Sequence, residues 1–306
     1  MRVVLRRTLT MLLLLLVSSF AVFAAIRLSG GDVTAARLPA SASAEDRALF
    51  RQQVGLDKPI INQYFTYLGK LATGDLGNSL TNNARLSTLA TEKIRNSLIL
   101  GGSSMVVIFA LGIPLGMLAA MRRNSWLDTG ITSVSVAGMA IPNFWLALIS
   151  IYVFSTLLGW LPSAGQGGIR YLILPTLVLS AEGIALTVRM TRSAMLENLG
   201  QDFVRTLRAA GVSERRIHFK HVLRSSLMPL ISLAGLRVGQ IAGYALVVET
   251  IFGWAGVGQA LVNAVLRRDY PVVQLFSLLL VALVTFGNLM ATVGYTLANP
   301  RLRKHQ

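Results

Sequence analysis

Six long apolar runs, separated by short segments rich in arginine, constrain this chain more than any other feature. A helix of about 20 apolar residues crosses the hydrocarbon core of a bilayer, where no water is present to satisfy backbone polar groups. Residues 8–26, 98–121, 128–158, 171–188, 226–248 and 273–297 fit that description. The expected fold is an all-α membrane protein of about six transmembrane helices, forming one domain over residues 1–306. Only 14% of residues are charged and 53% are hydrophobic, against about 25% charged in soluble domains.

The first run follows Arg2, Arg6 and Arg7. It exceeds the roughly 7–15 apolar residues of a cleaved signal peptide, and Val22-Phe23-Ala24 is a poor cleavage site. It therefore reads as a retained span. Basic residues in short loops set orientation. They gather in the N-terminus, in Arg122-Arg123, in the segment 189–225 and in Arg301, Arg303 and Lys304. The opposite short loops hold Arg170, Arg267 and Arg268. Both termini and the segment 189–225 are thus expected on the cytoplasmic side. The net charge of +16 follows this topology and not a nucleic-acid surface, since no basic-aromatic module is visible. The bilayer is the expected surrounding.

Residues 27–97 form an extracytoplasmic helical cap in this reading. Ser43-Ala44-Glu45-Asp46 reads as a helix start, and Gly55 as its stop. A second helix from Pro59 to Thr73 sets Ile60, Tyr64, Phe65, Leu68 and Leu71 on one side, and residues 84–97 suggest an interfacial helix. The second span carries Gly112-x-x-x-Gly116, which permits close helix contact. The third is long for one crossing, with a bend expected at Pro142 and anchors at Trp145 and Trp160. Residues 249–272 form a second extracytoplasmic segment.

Several chemistries are excluded. Zero cysteines remove disulfides, thiol catalysis and cysteine-ligated zinc. No phosphate-binding loop of the Gly-x-x-x-x-Gly-Lys type appears. The histidines, His218, His221 and His305, fall outside the spans, and no nucleophile has a base beside it. The chain is therefore expected to be neither an enzyme nor a metal binder, with no cofactor of its own.

Two charges lie inside spans, where they are expensive and face a bundle interior or an aqueous path. These are Glu182 and Arg237. Gln240 and Tyr244 cluster with Arg237 on span five, opposite a stripe of Gly235, Gly239 and Gly243. Asn143, just after Pro142, is placed with this set. Two readings stay open: the wall of a translocation pathway, or a structural Arg237–Glu182 ion pair.

The segment 189–225 has its own mechanics. Gly200 ends the extension of span four, and Asp202 to Ala210 forms a short helix. Phe203, Val204, Leu207 and Ala210 lie on one face of it. Gly211 supplies a left-handed cap, and Ser213-Glu214 restarts a helix that runs into span five. An ordinary basic loop would also satisfy the charge pattern.

The run Arg205-Thr206-Leu207-Arg208-Ala209-Ala210-Gly211, followed by Ser213-Glu214, resembles the EAA loop of ABC-importer permeases of the dipeptide/oligopeptide/nickel branch. Further resemblance comes from Gly74-Asp75-Leu76-Gly77, Ile141-Pro142-Asn143-Phe144-Trp145, Glu249-Thr250-Ile251-Phe252 with Gly256-Val257-Gly258, Arg268-Asp269-Tyr270-Pro271 and Asn299-Pro300-Arg301. The resemblance implies a multi-pass protein of the bacterial cytoplasmic membrane. It also implies a second, similar permease, one or two ATPase subunits that hold the ATP and magnesium, and an extracytoplasmic substrate-binding protein. Peptide is the expected cargo. Nickel chelates or glutathione are alternatives within the same architecture, and a free-standing secondary transporter or channel is an alternative of another class. In the family the short helix docks on the ATPase. Here Arg205 stands where the motif has its glutamate, so Arg205, Arg208 or both are expected to meet an acidic rim. Asp57, Asp75 and Asp269 are candidates for outer-face docking.

Overall fold

The computed structural model describes residues 2–28, 41–54 and 57–298. The stop expected at Gly55 and the C-terminal residues from Asn299 onward, Arg301, Arg303 and Lys304 included, lie outside the described residues. The described part is helical, apart from turns and one isolated bridge between Asn78 and Arg85.

Helix α1 (Arg2–Leu28) is followed by the two short helices of the cap, α2 (Ala44–Val54) and α3 (Ile60–Ala72). A reciprocal pair of bonds starts α2. The Asp46 amide donates to Ser43 Oγ, and the Ser43 amide donates to the Asp46 carboxylate, both at 3.1 Å. Helix α3 is tied to α1 through Tyr64, which packs edge-on against Phe20 and Phe23 with centroids 5.1 and 5.5 Å away. Its hydroxyl lies 2.6 Å from Ser19 Oγ. Of the expected apolar row on α3 only Tyr64 is buried; Phe65 points outward.

Helix α4 (Leu86–Met121) is a single 36-residue rod. The expected interfacial helix and second span are therefore one element. No Gly–Pro punctuation interrupts residues 86–100, and the side chains of Asn96 and Ser97 find partners on other elements while their backbone stays helical.

Helix α5 (Trp126–Ala140) and helix α6 (Asn143–Ser150), which continues as a π-helical stretch Ile151–Leu157, meet at a 104° bend. The expected third span is thus two segments and not one gently bent rod. Pro142 has no amide proton and disfavours α geometry in the residue before it, and Ile141 is extended at φ −86°, ψ 121°.

Helix α7 (Ile169–Leu199) outruns its apolar run and ends at Gly200. After it come α8 (Asp202–Ala209), a single turn α9 (Glu214–Arg216) and a π-helical stretch Ile217–Val222. This stretch leads into α10 (Leu223–Ile251). Helices α11 (Val257–Leu266) and α12 (Tyr270–Ala298) complete the described chain. Among the described residues five helices are long and apolar enough to cross a membrane, and six spans result if the bent pair counts as one.

Small residues set the packing. On α4, a Cβ at Gly112 would stand 2.6 Å from Thr187 Cβ, and one at Gly116 would stand 2.5 Å from the Val188 carbonyl. Helices α4 and α7 therefore touch along their backbones. Of the expected glycine stripe on α10, Gly239 meets Gly287 of α12 at backbone distance, whereas a Cβ at Gly243 would meet nothing within 4 Å. The central core joins Leu100, Ile108, Val178, Ile241, Val248 and Phe252 from α4, α7 and α10.

Candidate functional site

Three polar constellations interrupt the apolar packing: one at the end of the bundle that carries α8, one at mid-depth and one at the opposite end. The first is built on a helical hairpin. Val204 and Leu207 of α8 pack with Met117 and Ala120 of α4, Met195 of α7, and Ile217 and Val222 of the π-helical stretch. Phe203 and Ala210, expected on the same buried face, are exposed. The helix is only two turns long and its seat accepts two side chains, so its outer face stays open.

The turn after α8 closes in steps. The Ala210 amide donates to the Thr206 carbonyl at 2.9 Å, and the Val212 amide donates to the Leu207 carbonyl at 3.0 Å. Gly211, at φ +77°, occupies the left-handed region that makes this closure possible. Ser213 precedes α9 without a side-chain capping bond; its carbonyl accepts from the Ile217 amide at 3.0 Å.

Arg208 bridges the turn to Glu214, with Nε to Oε1 at 2.6 Å and Nη2 to Oε2 at 3.2 Å. Hydrogen bonding to Glu214 pushes the Arg208 guanidinium above its ordinary value. This changes the expectation for the two arginines. Arg208 is committed within the hairpin, whereas Arg205 has a side chain 78% exposed and only a loose 3.5 Å contact with Asp202. Asp202, Phe203, Arg205, Thr206 and Ala209 are therefore the residues that α8 presents outward, with Arg208 exposed but bonded to Glu214.

A second pair near this end escaped the sequence reading. Arg192 of α7 grips both carboxylate oxygens of Asp128 at 2.6 and 2.8 Å. Asp128 also accepts from the Asn124 amide, and its own amide donates to Ser125 Oγ. The Ser125-x-x-Asp128 spacing is a legible capping signal; its arginine partner, 64 residues away, is not.

At mid-depth the structure brings Glu182 of α7 to Arg237 of α10. Both Nη atoms of Arg237 reach the same oxygen, Glu182 Oε1, at 3.4 and 3.3 Å. Arg237 is 3% exposed, and its Nε has no partner. Gln240 Oε1, one turn along α10, is also buried without a partner, and Tyr244 lies exposed beyond it. Asn143 stands half-buried at the start of α6 and makes no hydrogen bond to this group.

The third constellation locks the opposite end. Glu249, fully buried, accepts from Ser97 Oγ of α4 at 2.6 Å and from the Gly258 and Gln259 amides at 2.7 and 3.3 Å. Its carboxylate caps the first turn of α11, and a Cβ at Gly256 would collide with it. Trp254 Nε1 donates to the Asn96 carbonyl and Asn96 Nδ2 to the Ala255 carbonyl, both at 2.9 Å. Sequence reasoning noted Glu249 within a motif but gave it no job. The visible signal was a lone acid closing an apolar run, with a Gly-x-Gly after it.

Asp269 belongs to this lock as well, and not to an open docking surface. It is 2% exposed and accepts from the hydroxyls of Ser79 and Thr81 and the amide of Leu80. Burial alone would raise its carboxyl; the hydroxyl and amide donors outweigh that and hold it below the ordinary value. Asp57 and Asp75 are exposed, and Asp75 accepts from the Gly77 amide in its own turn.

With that geometry in place, comparison with known proteins is specific. Residues 112–304 match the family described as binding-protein-dependent transport system inner membrane component, and residues 1–86 match the N-terminal family of the same system. The oligopeptide transport system permease protein AppB of Bacillus subtilis (strain 168) is 38% identical over 310 residues, covering 98% of each chain. The di/tripeptide transport system permease protein DppB of Pseudomonas aeruginosa (strain UCBPP-PA14) is 40% identical over 315 residues, covering 93% of each. The fold resembles a solved chain of the inward-facing MetNI methionine ABC transporter, with a TM-score of 0.60 at 20% identity. That likeness covers 70% of this chain and 98% of the other. The chain belongs to the binding-protein-dependent transport system inner membrane component family, and is a multi-pass protein of the bacterial inner membrane.

Proposed function

We propose that this chain is the permease subunit of an ATP-driven importer, carrying di- or oligopeptides across the membrane by alternating access. Two relatives that share more than a third of its residues are named for oligopeptides and for di- and tripeptides. The observation that carries the reading is the hairpin at α8. It is seated by Val204 and Leu207 on the ends of α4 and α7, while Phe203, Arg205 and Thr206 face outward.

In this reading α8 docks on a separate ATPase subunit, and Arg205 meets acidic side chains there. ATP and magnesium stay on that partner, of which there are one or two kinds. A second, similar permease completes the pathway, and a binding protein delivers cargo at the end where Asp57 and Asp75 are exposed. The termini, the Arg122-Arg123 turn and the hairpin face the cytoplasm, following the basic-residue bias. The flank of α10 at the half-buried Gln240 and the exposed Tyr244, with the Arg237–Glu182 pair behind it, forms part of the pathway wall.

The test is to purify the assembled complex in lipid and measure ATP hydrolysis and peptide uptake with binding protein and a panel of peptides. Stimulation by peptides is the expected result. Stimulation by no peptide overturns the cargo, and failure of an ATPase to co-purify overturns the docking role of α8.

A further inference from the structure

Two of the arginine–carboxylate pairs, Arg192–Asp128 and Arg237–Glu182, are built differently, and the difference points to a ligand. Arg192 spans Asp128 end-on and uses both of its oxygens at 2.6 and 2.8 Å. Arg237 instead directs both Nη atoms to Oε1 of Glu182 at 3.3 to 3.4 Å. The second oxygen, Glu182 Oε2, accepts from no protein group among the described residues. The Glu182 side chain remains 29% exposed while Arg237 is 3% exposed. An arginine anchored in the bundle therefore pins one oxygen of a carboxylate whose other side opens outward.

The depth of this group matters. Glu182 is the fourteenth of 31 residues in α7, and Arg237 the fifteenth of 29 in α10, so both stand near the middle of their helices. A half-open carboxylate at that depth would be costly against lipid, and it therefore faces protein or an aqueous path. Gln240 Oε1, one turn from Arg237, and Arg237 Nε are both buried without a partner, so Glu182 Oε2 alone is open to a ligand. The one oxygen left open, beside a guanidinium that holds its twin, suits a group that brings N–H donors. No cluster of His, Asp or Glu that could hold a metal occurs among the described residues, so an organic cation fits better than a metal ion.

We propose that Glu182, held by Arg237, receives the α-ammonium group of the peptide during its passage, through the open Oε2 oxygen. The proposal rests on the pathway reading above. Because Arg237 cancels the charge of Glu182, the ammonium meets a dipole and not a bare anion. Such a site binds weakly enough to release its cargo, as conduction through a pathway requires.

The chain has no cysteine, so single-cysteine reporters are clean. The first experiment treats the assembled wild-type complex with a water-soluble carbodiimide and a labelled dipeptide that lacks lysine. This joins a carboxylate to an amine in direct contact as an amide. Mass mapping is expected to find the peptide on Glu182, and no adduct with the N-acetylated peptide. Glu182→Gln should raise the KM for uptake about tenfold, the scale of one charge-assisted hydrogen bond, with ATPase co-purification unchanged. In parallel, Tyr244→Cys is labelled with a thiol reagent in the presence and absence of peptide. Peptide-protected labelling at position 244 with no adduct on Glu182 overturns the ammonium site and leaves the pathway standing. Absence of both overturns the pathway and the site together. If Glu182→Gln prevents assembly, the wild-type adduct still decides.

Discussion

Arg208 and Glu214 clasp each other across the turn at Gly211, nitrogen to oxygen at 2.6 Å, and so hold α8 at a set angle to the helix that leads into α10. The pair is open to solvent and stabilises the fold little. Its role is orientation. Arg208→Glu is expected to lower peptide-stimulated ATP hydrolysis and uptake while the complex still purifies, and the exchange R208E with E214R to restore both. Uptake that is indifferent to the single change would show that the clasp does not orient the hairpin.

Arg205 makes no close bond within the chain. Arg205→Glu should therefore leave the melting temperature of the isolated permease unchanged and weaken its hold on the ATPase. Co-purification at rising salt measures this, because a contact between exposed charges is screened. Retention equal to wild type at every salt concentration would remove Arg205 from the interface.

Gly116 has the Val188 carbonyl and Thr191 in the space where a side chain would grow. Gly116→Val is expected to push α4 from α7 and cost roughly 1–3 kcal/mol, the usual range for overpacking. Thermal unfolding in detergent reads this directly. Gly130 supplies the control, since a Cβ there would meet nothing within 4 Å.

Asp269 is the acid whose contribution has a defined pH signature. Its carboxyl lies below the ordinary value of 3.8 in the folded chain. Its stabilisation is therefore complete above about that pH and is lost as pH falls through the lower folded value. Asp269→Ala strands the hydroxyls of Ser79 and Thr81 and the Leu80 amide, at about 1–3 kcal/mol for each group left without a partner. Unfolding measured from pH 7 downward should show the gap between wild type and variant narrowing only below pH ~4.

The apolar runs and basic loops made the helical membrane architecture readable, because length and polarity act locally along the chain. The hairpin was readable for a similar reason. Gly211 sits in the left-handed region its place in the sequence suggested, and Gly200 follows the last residue of α7. What escaped were relationships between distant residues. Nothing near Asp269 announces Ser79, and nothing near Glu249 announces Ser97; 190 and 152 positions separate them. The outward aspartate expected at position 269 is a buried fastener because the loop at residues 79–81 folds over it. Likewise, the commitment of Arg208 to Glu214 depends on the way the turn folds back, which composition does not show.

The π-helical stretch Ile217–Val222 lies between the hairpin and α10. A π turn accommodates one residue more than an α turn over nearly the same rise, so this stretch acts as a dislocation in an otherwise continuous rod of 38 residues. A dislocation can move. Sliding it by one position turns the residue it passes by about 100° and leaves the helices on either side in the same relative setting. The joint between the hairpin and the transmembrane rod can therefore re-aim single side chains without twisting the rod. A one-residue deletion within 217–222 would remove the dislocation and leave both flanking helices in register.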